Sequence, residues 1–159
     1  MAKLNPENLL DKILLYWQTE DLLRAYQLDA SKLLSSDSFK EEFASDEAKN
    51  WLQELAKSMA KEGVEKSGHS SSSLAIIRDL KAKHDSFIRN ETYKAQVEVI
   101  KPALENLQTK REEVDHLVYG MCELIYAFYL QKMTGNKLSD GVESLGQETI
   151  KCVQMLLEA

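Results

Sequence analysis

The chain has 159 residues, of which 43% are apolar and 29% are charged, and its formal net charge is −6. This apolar fraction suffices for a hydrophobic core, which excludes a disordered chain. The acidic balance disfavours nonspecific binding to nucleic acids or membrane surfaces, because phosphate groups require a basic protein face. With only 6 Gly and 2 Pro, the chain has few turns and long elements, which argues against a sandwich or a barrel.

The amino-terminal sequence and the two cysteines indicate the cellular compartment in which the protein is expected. The segment MAKLNPENLLDKILLYW lacks the pattern of a secretory signal, and no apolar run reaches the ~18 residues of a membrane span. Cys122 and Cys152 lie among apolar neighbours, without a CxxC motif or clustered histidines that would predict zinc. We expect a cytoplasmic protein with two buried free thiols, no metal and no cofactor.

The first predicted helix, residues 6–29, is apolar on nearly every side. Asn5 is expected to cap it, and Pro6 fits the first helical position, where its missing N–H costs nothing. A helix that is apolar all round normally lies at the centre of a protein. The sequence therefore predicts that the other helices pack around this one.

Helical periodicity predicts five further helices, with a restart or bend at Ser45, a stop at Gly63 and a kink or break at Pro102. Their expected bounds are residues 37–62, 73–89, 91–107, 110–134 and 140–157. No strand-period segment competes with them. We expect one all-α domain over residues 1–159, a bundle of five to six mostly antiparallel helices with the first helix central.

A cluster of charges interrupts the first helix. Glu20 and Asp21 lie four and three residues before Arg24, so both carboxylates can reach the guanidinium, and Trp17 lies beside them. One interpretation is a partly buried ion-pair network that fixes how the helices dock. The other is the floor of a polar pocket, where an acid with a perturbed pKa binds a cation or moves a proton.

The serine-rich segment EKSGHSSSS, residues 65–73, is predicted to be a flexible loop in which Ser72 or Ser73 caps the next helix. The serines lack the GxSxG setting of a nucleophile, and the chain has no phosphate-binding glycine motif. His69 is expected either to be exposed or to fold back onto Glu20 or Asp21. His84 is expected to be a hydrogen-bonded core residue, and His116 has no predicted role.

The segment Tyr16-Trp17-Gln18 followed by EDLLRA at residues 20–25, with Glu62-Gly63 and Gly68-His69 downstream, resembles an uncharacterised all-helical bacterial family, a domain of unknown function. Its sharpest part is a WQxEDLxRA-like motif. The resemblance brings no reaction, cofactor or ligand. It implies that one site contains Trp17, Glu20, Asp21, Arg24, Gly63, Gly68 and His69.

Two functional hypotheses follow. The first is a noncatalytic interaction or scaffold protein that binds a protein partner or self-associates as a dimer, because the fifth predicted helix is broadly apolar and carries Tyr126 and Tyr129 on different sides. The second is a small-molecule-binding protein or enzyme whose site contains Glu20, Asp21, Arg24 and His69, with Trp17 as an apolar wall. A nucleic-acid-binding regulator is a minor third possibility that the acidic charge disfavours.

Overall fold

The computed structural model describes residues 6–107, 116–135 and 137–159. In these ranges the chain forms seven α-helices and no strand, which confirms the all-α class. The helices are α1 Leu9–Ala25, α2 Ala30–Ser35, α3 Asp46–Glu62, α4 Ser71–Phe87, α5 Glu91–Leu107, α6 His116–Met133 and α7 Asp140–Glu158. The expected number of five to six was wrong, because residues 30–35, which lie between the first two predicted helices, form the additional short helix α2.

Two compact units divide the chain between Ile76 and Ile77, within α4. The first unit contains α1, α2, α3 and the first residues of α4, and the second contains the remainder of α4 with α5, α6 and α7. Among the helices of the described ranges, none has the length and apolar character needed to cross a membrane.

The helix predicted over residues 6–29 begins later and ends earlier than expected. It starts at Leu9, where the side chain of Asn8 caps it by accepting a hydrogen bond from Asp11 N at 2.9 Å. Pro6 precedes the helix, and the predicted cap, Asn5, lies outside the described residues. The start was misplaced because Asn5 and Asn8 are both good capping residues.

A left-handed turn separates α1 from α2. Gln27 and Leu28 have φ values of 57° and 62°, and Leu28 N donates to Leu23 O at 2.7 Å. The side chain of Asp29 then caps α2 by accepting from Lys32 N at 3.1 Å. Because neither left-handed residue is a glycine, the usual sequence signal for a helix end is missing.

The third helix begins at Asp46 rather than at residue 37, since Ser45 caps it by accepting from Ala48 N at 3.1 Å. It ends at Gly63, whose left-handed φ of 73° confirms the predicted stop. Helices α1, α2 and α3 pack against one another in the first unit. Their shared core comprises Leu23, Ala30, Leu33, Phe43, Leu52, Leu55, Ala56 and Met59.

In the second unit, α5, α6 and α7 pack pairwise. Helix α5 continues through Pro102, so of the expected kink or break the break is absent. Helices α6 and α7 approach each other closely at Gly146, where an added Cβ would lie 2.7 Å from the ring of Phe128.

The two cysteines are free and buried, as predicted. Burial raises the pKa of Cys122 to about 12, with a smaller contribution from Glu123. Burial raises the pKa of Cys152 to about 11, although a hydrogen bond with Tyr93 opposes this rise. The hydroxyl of Tyr93 also lies 2.7 Å from His84 Nδ1, which confirms the hydrogen bond expected for His84.

Candidate functional site

Glu20 lies on the most enclosed turn of α1. The four consecutive residues from Trp17 to Glu20 are all buried, and four residues complete a full helical turn. The side chain of Glu20 is 0% exposed. A buried carboxylate is costly unless donors surround it, so the atoms around Glu20 decide what it can do.

Three donors converge on the Glu20 carboxylate. His69 Nδ1 lies 3.0 Å from Oε1, and Oε2 accepts from Ser70 Oγ at 2.6 Å and from Ser70 N at 3.3 Å. Since a carboxylate only accepts, the hydrogen of the His69 ring lies on Nδ1 in this contact. Both oxygens of Glu20 are therefore engaged by the protein itself.

Ser70 also starts α4. Its Oγ accepts from Ser73 N at 3.3 Å, and its carbonyl accepts from Ser73 Oγ at 3.1 Å. Both serines are fully buried. Residues 71–73 are the first helical residues of α4, so their expected assignment to a flexible loop was wrong. A serine run is ambiguous in sequence, because serine favours both loops and helix starts.

Arg24 anchors the segment that precedes α4. Its guanidinium lies 3.1 Å from Asp21 Oδ1, donates to Val64 O at 3.2 Å and donates to Gly68 O. The side chain of Arg24 is 15% exposed and that of Asp21 is 51% exposed. The two acids therefore have different roles: Asp21 pairs with Arg24 at the surface, whereas Glu20 binds the start of α4.

Trp17 forms the apolar side of the same group. Its indole stacks on the His69 ring, with centroids 4.2 Å apart and planes inclined by 15°. We use the name polar cluster for Trp17, Glu20, Asp21, Arg24, His69 and Ser70. The structure thus places His69 in contact with both Trp17 and Glu20, and Arg24, paired with Asp21, bonds to the carbonyl of the preceding residue, Gly68. Gly68 contributes its carbonyl, and Gly63 ends α3.

A cavity of about 490 Å³ lies elsewhere in the first unit. It is lined by Pro6, Lys12, Leu15, Tyr16, Ser45, Glu47, Ala48, Trp51, Ser72 and Ile76. We name it the α1–α3 cavity. None of these lining residues belongs to the polar cluster. The two features are nevertheless adjacent in the chain, since Tyr16 precedes Trp17 and Ser72 follows Ser70 by two residues.

Two aromatic rings form one wall of the α1–α3 cavity. The centroids of Tyr16 and Trp51 are 5.3 Å apart with planes at 80°, and Trp51 Nε1 donates to Tyr16 OH at 3.4 Å. Of the other lining residues, Leu15 and Ile76 are buried, whereas Lys12 and Glu47 are exposed. The sequence hypotheses did not include this site, because its residues come from separate helices and share no motif.

No group of three His, Cys, Asp or Glu side chains in the described part of the chain is arranged as metal ligands. The described residues thus form an all-helical protein with two notable features. The polar cluster is hydrogen-bonded within the protein, and the α1–α3 cavity is lined by both apolar and polar residues. The chain belongs to the family described as Domain of unknown function (DUF4924), whose model matches residues 1–159. This match confirms the resemblance to an uncharacterised family. No curated protein and no solved structure matches the chain significantly.

Proposed function

We propose that the protein is a noncatalytic small-molecule-binding protein whose ligand occupies the α1–α3 cavity. The observation that carries this proposal is the cavity itself: about 490 Å³, lined by the apolar side chains of Leu15 and Ile76, by two aromatic rings and by a few charged and polar residues. Ligand sites have this size and this combination of apolar lining with few polar groups. The first sequence hypothesis described a noncatalytic protein, and the second described a protein that binds a small molecule. The function proposed here combines these two features.

We assign the polar cluster a structural role within this proposal. A general base must face a substrate proton, but the Glu20 side chain is 0% exposed and both its oxygens accept hydrogen bonds from His69 and Ser70. The guanidinium of Arg24 likewise donates hydrogen bonds to Asp21 and to two backbone carbonyls. The cluster holds residues 64–70 against α1, and this fixes the start of α4, which supplies Ser72 and Ile76 to the cavity.

Filling the cavity tests the proposal. Ala48 lines it and lies on α3, whereas Ala60 is exposed near the other end of the same helix. A mixed library of soluble aromatic and aliphatic fragments, screened by saturation-transfer NMR, should yield fragments that bind the wild type and Ala60→Trp but not Ala48→Trp. Circular dichroism should show equal helix content in the three proteins. Fragments that bind Ala48→Trp as well as the wild type would contradict the proposal, as would a screen without binders.

Self-association is a second proposal, supported by α6. This helix carries Tyr126 and Tyr129, which are only half-buried. The large apolar side chains most exposed in the described residues, Val99, Met133 and Val142, lie on three different helices and give no additional support. Light scattering after size exclusion, repeated over a hundredfold dilution, should show a dimer that Tyr126→Lys disrupts; a monomer at every concentration would refute this second proposal.

We propose the cytoplasm as the site of action. The support is chemical: Cys122 and Cys152 are both buried as free thiols, a state that reducing compartments maintain. Fractionation of cells that express a tagged chain should recover it with cytoplasmic markers.

A further inference from the structure

We propose that the ligand of the α1–α3 cavity is a small organic cation, an ammonium group attached to an apolar or aromatic body. This inference rests on the proposed function, since it specifies the chemistry of the ligand in that cavity. It depends on three observations within the first unit: the arrangement of Tyr16 and Trp51, the position of Glu47, and the balance of charge in this unit.

The aromatic wall is the first observation. Tyr16 and Trp51 meet at 80°, so the two rings form a corner rather than a flat surface. Both side chains line the cavity, so a ligand placed between them can contact both. Aromatic rings attract cations that lie over their faces, tryptophan most strongly, and sites lined by several aromatic rings bind quaternary ammonium groups.

A carboxylate beside the aromatic corner is the second observation. Glu47 lines the same cavity and lies in the first turn of α3, one turn before Trp51. Its carboxylate can neutralise an ammonium group that rests against the rings. Aromatic faces and a carboxylate together favour a cation over a neutral or anionic ligand of the same shape.

The third observation concerns the surrounding charge. The first turns of α1 and α3 carry Asp11, Asp46 and Glu47, and acidic side chains outnumber basic ones in residues 1–76. Lys12 is the basic residue of the cavity lining, and it is exposed. Its long stem can cover apolar surface while the ammonium group extends into water, so it leaves room for a ligand of like charge.

Three probes with a common benzyl body test the charge preference: benzyltrimethylammonium, benzyl alcohol and phenylacetate. Titration by NMR with the intact protein should give the cation an affinity at least ~5-fold above that of the other two, since a cation–π contact accounts for a factor of this order. Glu47→Gln should weaken binding of the cation ~3-fold or more. Lys12→Gln should leave it unchanged or strengthen it. Trp51→Leu should reduce it further than Glu47→Gln.

Glu54→Gln is the matched control, because Glu54 lies on the same helix, is exposed and pairs with Lys57 away from the cavity lining. It should bind benzyltrimethylammonium as the wild type does. Circular dichroism of each variant establishes that it is folded before binding is compared.

The outcomes separate this inference from the proposed function. Equal affinity for the three probes would refute the cationic character of the ligand, as would a preference for phenylacetate that Lys12→Gln abolishes. Either result leaves the cavity as a ligand site. Binding of the cation that survives both Glu47→Gln and Trp51→Leu also overturns the inference, because the cation then lies elsewhere. Failure of every probe, combined with failure of the fragment screen, overturns the inference and the proposed function together.

Discussion

The imidazole of His69 lies nearly parallel to the indole of Trp17, with ring centroids 4.2 Å apart, and its Nδ1 lies 3.0 Å from Glu20 Oε1. One side chain thus contacts α1 twice, once through the face of its ring and once through its edge. Stacking fixes the plane of the ring, and the hydrogen bond fixes its rotation within that plane. His69 therefore links α1 to the segment that precedes α4.

These two contacts of His69 can be separated by substitution. His69→Phe keeps an aromatic face against Trp17 but removes the donor to Glu20, so we expect a loss of about 1–3 kcal/mol in the free energy of unfolding. His69→Ala also removes the stacking and should cost about 1 kcal/mol more. Urea denaturation measures both values. Equal stability of His69→Phe and the wild type would show that the hydrogen bond to Glu20 contributes nothing.

Glu20 and Asp21 are adjacent in sequence but should respond differently to neutralisation. Glu20→Gln replaces one acceptor oxygen with an NH₂ donor that faces the donors of His69 or Ser70. We therefore expect the free energy of unfolding to fall by about 2–4 kcal/mol. Asp21→Asn should cost less than about 1 kcal/mol, because its ion pair with Arg24 is half exposed. Parallel urea titrations of the two variants test the contrast, and similar losses would contradict the structural assignment of Glu20.

Arg24→Lys tests the anchoring of residues 64–68. Lysine keeps the positive charge but lacks the planar fork that reaches Asp21 and the carbonyls of Val64 and Gly68 together. We expect faster amide hydrogen exchange in residues 64–70, with exchange in α5 and α7 unchanged. Lys57→Arg, at an exposed pair with Glu54 on α3, is the control. If exchange in residues 64–70 is the same as in the wild type, Arg24 does not anchor this segment.

Gly146→Ala should destabilise the contact between α6 and α7. The new Cβ would lie 2.7 Å from atoms of the Phe128 ring, which is buried, so the ring or one of the helices must shift. Overpacking of this kind costs about 1–3 kcal/mol, more than the gain in helix propensity from Ala. Gly141→Ala is the control on the same helix, because its added Cβ has open space. Thermal unfolding should show a lower Tm for Gly146→Ala only.

The buried thiol of Cys122 predicts a loss of stability at alkaline pH. Its pKa is raised from 9.0 to about 12 by burial and, to a smaller extent, by Glu123. Because the folded-state pKa lies above the unfolded one, the protonated thiol stabilises the fold fully below pH 9. This contribution then falls by about 1.4 kcal/mol for each pH unit up to the folded-state pKa.

Cys122→Ala provides the measurement. Above pH 9 the free energy of unfolding of the wild type should fall relative to that of the variant. Groups that titrate in both proteins contribute equally and cancel when the two free energies are subtracted. Urea denaturation at pH 7.5, 9.5 and 10.5 gives the two free energies of unfolding. A difference that is independent of pH over this range would contradict the burial of a neutral thiol at this position.

Strong local signals made most of the helices predictable from sequence. The expected range for α5 agrees with its observed bounds, and α7 differs from its expected range by one residue at its end. Gly63 ended α3 as expected, since a left-handed residue there is what glycine provides. The first helix was predicted to extend too far, because Gln27 and Leu28 adopt left-handed conformations without being Gly or Asn. Tertiary packing holds them there: Leu28 packs against the core of the first unit.

The polar cluster was only partly predictable. The spacing of Glu20, Asp21 and Arg24 showed which charges lie near each other on a helix. It could not show that Arg24 pairs with Asp21 while Glu20 turns to His69 and Ser70, because that choice depends on where a segment some fifty residues later folds. The α1–α3 cavity was not predictable, since empty space between helices depends on their packing and leaves no trace in any single segment.

Ser70 couples two events that are usually independent in a helical protein. Its hydroxyl serves the first turn of α4 and the enclosed carboxylate of α1 at once. Fraying at the amino end of α4 would thus strand a charge in a dry interior, and this penalty suppresses local opening. We infer that nucleation of α4 and dehydration of the middle of α1 form one cooperative step, so that amides in both places become protected together during refolding.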